Sequence, residues 1–218
     1  MSLAADLNPI VRYWDPLGLA DGTFWGDKNE ATIAFLRQAE IKHGRVAMMA
    51  FVGYCAQANG VRWPWPMMLD GSPFPSSSLS PPEQWDAIPE IAKWQIILTI
   101  AFFEFWDESQ SPVHYMRGGK PGSFPPLKGP DSMLPHPVPF NLYDPFNYAQ
   151  RKTAEQRARG LKVEINNGRL AMIGIFGFLA ESKVPGSVPA LVGKIAPYSG
   201  DYMAPFESNF HTVLQSIN

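Results

Sequence analysis

An eighteen-residue pattern occurs twice in this chain and places a carboxylate and a guanidinium inside two otherwise apolar helices. The first copy starts Glu40-Ile41-Lys42-His43-Gly44-Arg45-Val46-Ala47-Met48 and runs to Gln57; the second starts Glu164-Ile165-Asn166-Asn167-Gly168-Arg169-Leu170-Ala171-Met172 and runs to Glu181. Eight of the eighteen positions are identical without a gap, including the later pairs Gly53/Gly177 and Ala56/Ala180. Such a repeat implies two helices related by a pseudo-two-fold axis. A charge in an apolar helix is costly and is retained when paired or functional. Glu and Arg five residues apart point about 140° apart at ~3.6 residues per turn, so they do not face each other on one helix. Two crossed copies remove the conflict: Glu40 reaches Arg169, and Glu164 reaches Arg45. Gly44 and Gly168 beside the charges let backbones, or flat cofactors, approach closely.

His43 and Asn167 share one repeat position, a turn beyond each Glu and on the same broad face. His, Asn and Glu can each offer a lone pair without donating a proton. A Glu balanced by an Arg still has a second oxygen for a metal. A protein-built Mg²⁺ site needs several converging oxygen ligands, whereas these four residues project separately. They fit magnesium already held in a macrocycle and lacking one axial ligand. The competing reading is a helix-crossing ion-pair motif with a satisfied polar residue at the His/Asn position.

Three apolar segments, roughly 33–58, 91–106 and 163–180, predict helices over 31–58, 90–108 and 153–182 in a single domain spanning 1–218. None is an uninterrupted apolar run of about 20 residues, and mean hydropathy is only −0.13. Long loops dilute that average, the chain having 22 Pro and 18 Gly. Charge placement nevertheless predicts spanning. With three crossings, the side holding the N-terminus and the second connection receives eleven Lys and Arg, and the other side receives Arg62, Lys93, Lys183 and Lys194 only. That asymmetry belongs to an oriented membrane protein, and Trp63, Trp65, Trp85 and Trp94 flank the segments as interfacial anchors do. The expected fold is therefore an all-α membrane protein: three transmembrane helices, the first and third crossing as the pseudo-two-fold pair, with long Pro/Gly-rich loops.

A net charge of −2 and the lack of a basic, aromatic-interleaved stretch exclude nucleic acid as a partner. Cys55 is alone, so no disulfide framework forms. Met1–Ile10 carries Asp6 and no Arg, unlike an organelle-targeting segment, so the chain reads as mature or as trimmed of its targeting information. No nucleophile–base pair or phosphate loop is present, which argues against an enzyme. A second echo precedes each repeat helix: Trp14-Asp15-Pro16-Leu17-Gly18 and Tyr143-Asp144-Pro145-Phe146-Asn147. Each reads as a turn that presents backbone polar groups to a ligand lying along the crossing.

Glu-x-x-His-Gly-Arg in one copy and Glu-x-Asn-Asn-Gly-Arg-Leu-Ala-Met in the other closely resemble the chlorophyll-binding light-harvesting antenna superfamily, over nearly the whole length. Gly177-Phe178-Leu179-Ala180-Glu181 and Pro185-Gly186-Ser187-Val188-Pro189 resemble its red-lineage chlorophyll a/c branch, most of all the dinoflagellate and diatom members. The resemblance implies chlorophyll magnesium on Glu40, His43, Glu164 and Asn167, with Arg45 and Arg169 as cross-pairing partners. Helix two would add Gln95 and Glu104. Glu181 stands where the family often has a ligating Gln, and Gln57 is its counterpart in the first copy. His114 and His136 are further ligand candidates without a motif behind them, and His211 lies too far on to be carried over. The turns at Asp15-Pro16 and Asp144-Pro145 would hold the ends of two central carotenoids.

The implied cofactors are chlorophyll a, chlorophyll c, a peridinin-, fucoxanthin- or diadinoxanthin-type carotenoid, and structural lipid. The implied place is the plastid thylakoid membrane, multi-pass, with the N-terminus stromal. The implied partners are thylakoid lipids, neighbouring antenna subunits and a photosystem core, with His114-Tyr115-Met116-Arg117-Gly118-Gly119 suggesting photosystem I. The function would be light harvesting by excitation transfer. A photoprotective dissipating member of the superfamily and a pigment-poor membrane scaffold or sensor are the alternatives.

Overall fold

The computed structural model describes residues 2–24, 28–109, 113–127, 144, 146–148 and 151–202. Among them the regular structure is entirely helical. The helices are α1 (Ser2–Leu7), α2 (Asn29–Ala58), α3 (Pro81–Asp86), α4 (Glu90–Ser109) and α5 (Ala154–Lys183), with short 3₁₀ turns at Leu19–Asp21, Tyr115–Arg117 and Pro189–Leu191. The three long helices match the expected ranges to within two residues, whereas α1 and α3 lie in stretches expected to be irregular.

Local chemistry sets the helix ends. Before α5, Thr153 Oγ1 accepts the Gln156 N–H at 3.2 Å and Gln156 Oε1 accepts the Thr153 N–H at 3.0 Å, a reciprocal capping box. Before α3, the Glu83 carboxylate accepts both the backbone N–H and the hydroxyl of Ser80. At the end of α2, Gly60 takes a φ of 70°. It lets Val61 N–H reach Ala56 O and Gly60 N–H reach Gln57 O, a Schellman stop.

The sequence anticipates one domain over 1–218, whereas the chain gathers into two compact units, 1–48 with 102–172 and 49–101 with 173–218. Helices of 30 residues are about 45 Å long, and the side chains near their two ends pack with different segments. In the first unit Leu7 of α1, Ile41 of α2 and Ile165 of α5 form a buried cluster, joined by Leu3 and Leu161. Ile41 and Ile165 hold the same repeat position. In the second unit Phe51 of α2 stacks on Phe178 of α5, with ring centroids 5.0 Å apart, and Tyr54 also meets Phe178.

No helix of the described residues is long and apolar enough to cross a membrane on hydropathy. The charges of the repeat account for this in α2 and α5. Many large apolar side chains of the long helices nevertheless face outward. Met49, Val52, Leu98, Phe105, Ile173 and Phe176 are all exposed.

Candidate functional site

The two repeat copies meet, within the first unit, at their glycines. A Cβ built on Gly44 would lie 3.0 Å from the Cα of Gly168, and one on Gly168 would lie 2.8 Å from the Cα of Gly44. Only a residue without a side chain permits this approach of backbone to backbone. The contact brings each guanidinium to the opposite carboxylate. Arg45 Nε donates to Glu164 Oε1 at 2.6 Å. Arg169 Nε and Nη2 both reach Glu40 Oε1 at 2.7 Å. Each Glu thus meets its Arg through one oxygen, and the other oxygen has no protein partner among the described residues. Arg45 also donates from Nη1 to the Gly122 carbonyl at 2.7 Å, which ties the loop after α4 to the crossing.

His43 and Asn167 both face outward from the crossing. His43 Nδ1 lies 2.8 Å from the Ala39 carbonyl. A carbonyl only accepts, so Nδ1 carries the proton and Nε2 presents a lone pair outward. That is the tautomer a metal-ligating histidine uses. The Asn167 side chain makes no hydrogen bond among the described residues. All four positions therefore present an outward lone pair, and each stands apart from the others. No group of three or more His, Cys, Asp or Glu among the described residues converges on a metal. The geometry suits four separate axial ligations.

Glu104 is exposed on α4 and accepts from Lys42 Nζ of α2 at 2.7 Å. Its partner therefore comes from a neighbouring helix, which inspection of α4 alone misses. Lys42 serves Asp107 as well, also at 2.7 Å. Asp107 is buried and accepts from Gln38 Nε2 at 3.0 Å. Gln38 Oε1 in turn accepts the Gly122 N–H at 2.5 Å. One polar chain thus runs from Glu104 through Lys42, Asp107, Gln38, Gly122 and Arg45 to Glu164. The signal that points to it is Lys42 itself, a cation inside a repeat whose second copy has Asn166 there. Gln95 is exposed on α4, and its side chain makes no hydrogen bond among the described residues.

Three other candidates are drawn into local tasks. Glu181 is buried, and its two oxygens accept the Gly186 N–H at 2.9 Å and the Val188 N–H at 2.8 Å. It clamps the turn after α5 rather than facing outward, because the Pro185-Gly186 turn folds back over it. Gln57 is exposed, with Oε1 taken by Arg62 Nη1 at 2.8 Å. His114 Nδ1 accepts the Met116 N–H at 3.3 Å, which leaves Nε2 to donate to Glu108 at 2.9 Å, so neither nitrogen is open. Beside it, burial and then Glu108 push the Tyr115 phenol up to about 12. His136 and His211 lie outside the described residues.

The turns before the two repeat helices share a geometry. The Asp15 carboxylate accepts Leu19 N–H at 3.0 Å and Ala20 N–H at 2.9 Å, and its carbonyl accepts Gly18 N–H. The Asp144 carboxylate accepts Tyr148 N–H at 2.6 Å, and its carbonyl accepts Asn147 N–H. Gly18 (φ 63°) and Asn147 (φ 56°), three residues after each Asp, are both left-handed. Pro16 opens the first turn; Pro145 lies outside the described residues. The Ala20 N–H, and after it Leu19, holds the Asp15 carboxyl below the usual carboxylate range.

In the second unit an apolar cavity of about 610 Å³ is lined by Gly53, Tyr54, Gln57, Trp85, Ile97 and Leu179 among others. Its volume and lining suit a large, mostly apolar ligand.

Comparison with known proteins gives a consistent result. Residues 2–183 match the model of the family described as chlorophyll A-B binding protein. The chain is 31% identical over 187 residues to fucoxanthin-chlorophyll a-c binding protein A of Phaeodactylum tricornutum, covering 82% of this chain and 78% of that protein. It is 29% identical over 188 residues to protein E of the same kind from Macrocystis pyrifera, covering 86% and 76%. A fucoxanthin-chlorophyll a-c binding protein of Trieres chinensis is 27% identical over 198 residues, covering 86% and 81%.

Proposed function

We propose a light-harvesting role from the premise that this chain belongs to the chlorophyll A-B binding protein family. It binds chlorophyll and carotenoid, absorbs light and passes excitation to a photosystem; it is not an enzyme. The relatives named for fucoxanthin and chlorophylls a and c support that pigment set here, and their designation as chloroplastic supports a plastid location.

The observation that carries the reading is the one-oxygen pairing of Glu40 and Glu164. A carboxylate neutralised by an arginine can enter an apolar site, and its second oxygen suits a hard cation such as Mg²⁺. We assign Glu40, Glu164, Asn167 and His43, the last through Nε2, as axial ligands. Glu104 has the same form, with one oxygen on Lys42, and Gln95 is the other candidate on α4. Gln57 remains a candidate for the 610 Å³ cavity, which it borders. Glu181 is not assigned. Chlorophyll supplies light absorption and excitation transfer when bound. The chain's own residues fix where each macrocycle sits, keep Glu charges neutral, and exclude water through the apolar faces of the helices. The two Asp-Pro turns are assigned to the ends of two carotenoids.

We also infer three membrane spans, α2, α4 and α5, with the N-terminus stromal. Low hydropathy does not argue against this, because paired charges cost far less than isolated ones. Helices of 30, 20 and 30 residues reach about 45, 30 and 45 Å, against a hydrocarbon core of about 30 Å. Their outward apolar side chains suit lipid and pigment, and the eleven-to-four cation asymmetry sets the orientation. Photosystem I and neighbouring antenna subunits are the proposed partners.

Purification of the complex, with absorption and pigment extraction, tests the reading. Soret and red chlorophyll bands with several pigments per chain, and carotenoid-to-chlorophyll transfer in the fluorescence excitation spectrum, are expected. A colourless protein refutes it.

A further inference from the structure

We infer that a second cavity, beside the Arg45–Glu164 pair, binds the anionic head of an amphiphile. The inference rests on the membrane residence proposed above. The cavity has a volume of about 250 Å³, and Arg45, Lys120, Lys152 and Arg157 line it with Ile41 and Leu161. Glu164 is its single carboxylate, and Arg45 already holds that group. Four cations therefore surround one neutralised acid, in a chain whose net charge is −2. Lys120, Lys152 and Arg157 form no ion pair among the described residues. They come together from the loop after α4 and from the start of α5, although 32 residues separate Lys120 from Lys152 in sequence. Like charges gathered this way repel one another unless an anion sits among them.

The remaining lining says what kind of anion. Ile41 and Leu161 give the cavity an apolar wall, which free phosphate does not need and an amphiphile does. The volume falls below the roughly 300–1,000 Å³ of pockets that enclose a whole drug-sized ligand, so a head enters and the body stays outside. Basic pockets at the cation-rich end of membrane helices take acidic lipid heads, and Lys152 and Arg157 flank the first residue of α5, Ala154. Two amphiphiles carry the required head. One is a phospho- or sulfolipid. The other is a chlorophyll c-type macrocycle, whose unesterified carboxylate lies at its rim and whose magnesium would rest on Glu164.

The test is the triple variant K120Q/K152Q/R157Q, which leaves Arg45 and Glu164 in place. Wild-type and variant complexes are purified in detergent, and lipids and pigments are counted per chain. Loss of about one phosphatidylglycerol or sulfolipid, with unchanged pigments, assigns the cavity to lipid. Loss of about one chlorophyll c, with unchanged chlorophyll a and lipid, assigns it to the macrocycle. A pigmented variant that loses neither overturns the inference, and a colourless wild type overturns the reading beneath it. If the variant does not assemble, the delipidated wild-type complex is titrated with phosphatidylglycerol and with an uncharged galactolipid, and with free chlorophyll c and chlorophyll a. A rise in the thermal midpoint with an acidic member of either pair, abolished by high salt, supports the site. Equal responses to both members of each pair overturn it.

Discussion

Replacing Arg45 with Leu is expected to damage the complex more than replacing any proposed ligand. The substitution strands Glu164, whose partner lay at 2.6 Å, and orphans the Gly122 carbonyl, whose donor lay at 2.7 Å. Breaking a fully buried pair costs about 3–5 kcal/mol. Here the side chains keep 31% and 32% of their exposure, so about 2–3 kcal/mol is the better figure. The lost carbonyl bond adds about 1 kcal/mol. The total, roughly 3–4 kcal/mol, shifts the folding equilibrium by a factor of about 100–1,000. His43→Leu removes only an exposed ring and its local bond to Ala39, about 1 kcal/mol, with one chlorophyll. The assay is refolding with pigment extract, followed by thermal melting read from circular dichroism in the chlorophyll bands. R45L should give little complex. R45L/E164Q should recover much of it, because a neutral amide still offers an oxygen and no longer needs a counter-charge. A milder effect of R45L than of H43L, or no rescue by E164Q, would refute the reasoning.

Gly168→Ala should cost about 1–3 kcal/mol and lower the yield of pigmented complex, since its Cβ meets helix backbone that cannot move aside. Gly53→Ala, with open space around it, should be neutral in the same refolding assay. Lys42→Met leaves the buried Asp107 with only Gln38, so pigment yield should fall, and K42M/D107N should restore it. Failure of that rescue would place the role of Lys42 elsewhere. The Asp15 turn predicts an acid-side effect. Because its carboxyl sits below the ordinary value, its contribution is complete above about pH 4 and is lost as pH falls through the lowered pKa. Amide exchange at Leu19 and Ala20 should quicken there, and D15N should remove most of that pH dependence. Glu181→Ala should loosen the 186–188 turn without loss of a chlorophyll; pigment counting against proteolysis of that turn checks both halves.

The crossing was legible because it repeats. Two copies of one pattern, each with a charge that cannot satisfy itself, leave reciprocal pairing as the physical solution, and Gly44 and Gly168 mark where the helices touch. The long helices were legible from apolar segments, and the paired Asp turns from their echo. What escaped was whatever does not repeat. Lys42 pairs across helices with Glu104 and Asp107, a contact that neither helix announces. Glu181 was misread because its repeat position suggested a ligand, while the following Pro-Gly turn supplies backbone N–H groups that claim it. The helices α1 and α3 are six residues each, too short for a periodic signal, and α3 is set by the Ser80–Glu83 capping box and its prolines. Hydropathy underrated the long helices because it counts every charge and ignores pairing.

The most direct measurement is an experimental structure of the pigmented complex at a resolution that separates the two oxygens of a carboxylate. Magnesium about 2.0–2.3 Å from the free oxygens of Glu40 and Glu164, with each arginine on the other oxygen, is the predicted result. Both oxygens of either Glu engaged by its arginine, with the magnesium ligated elsewhere, would contradict the account.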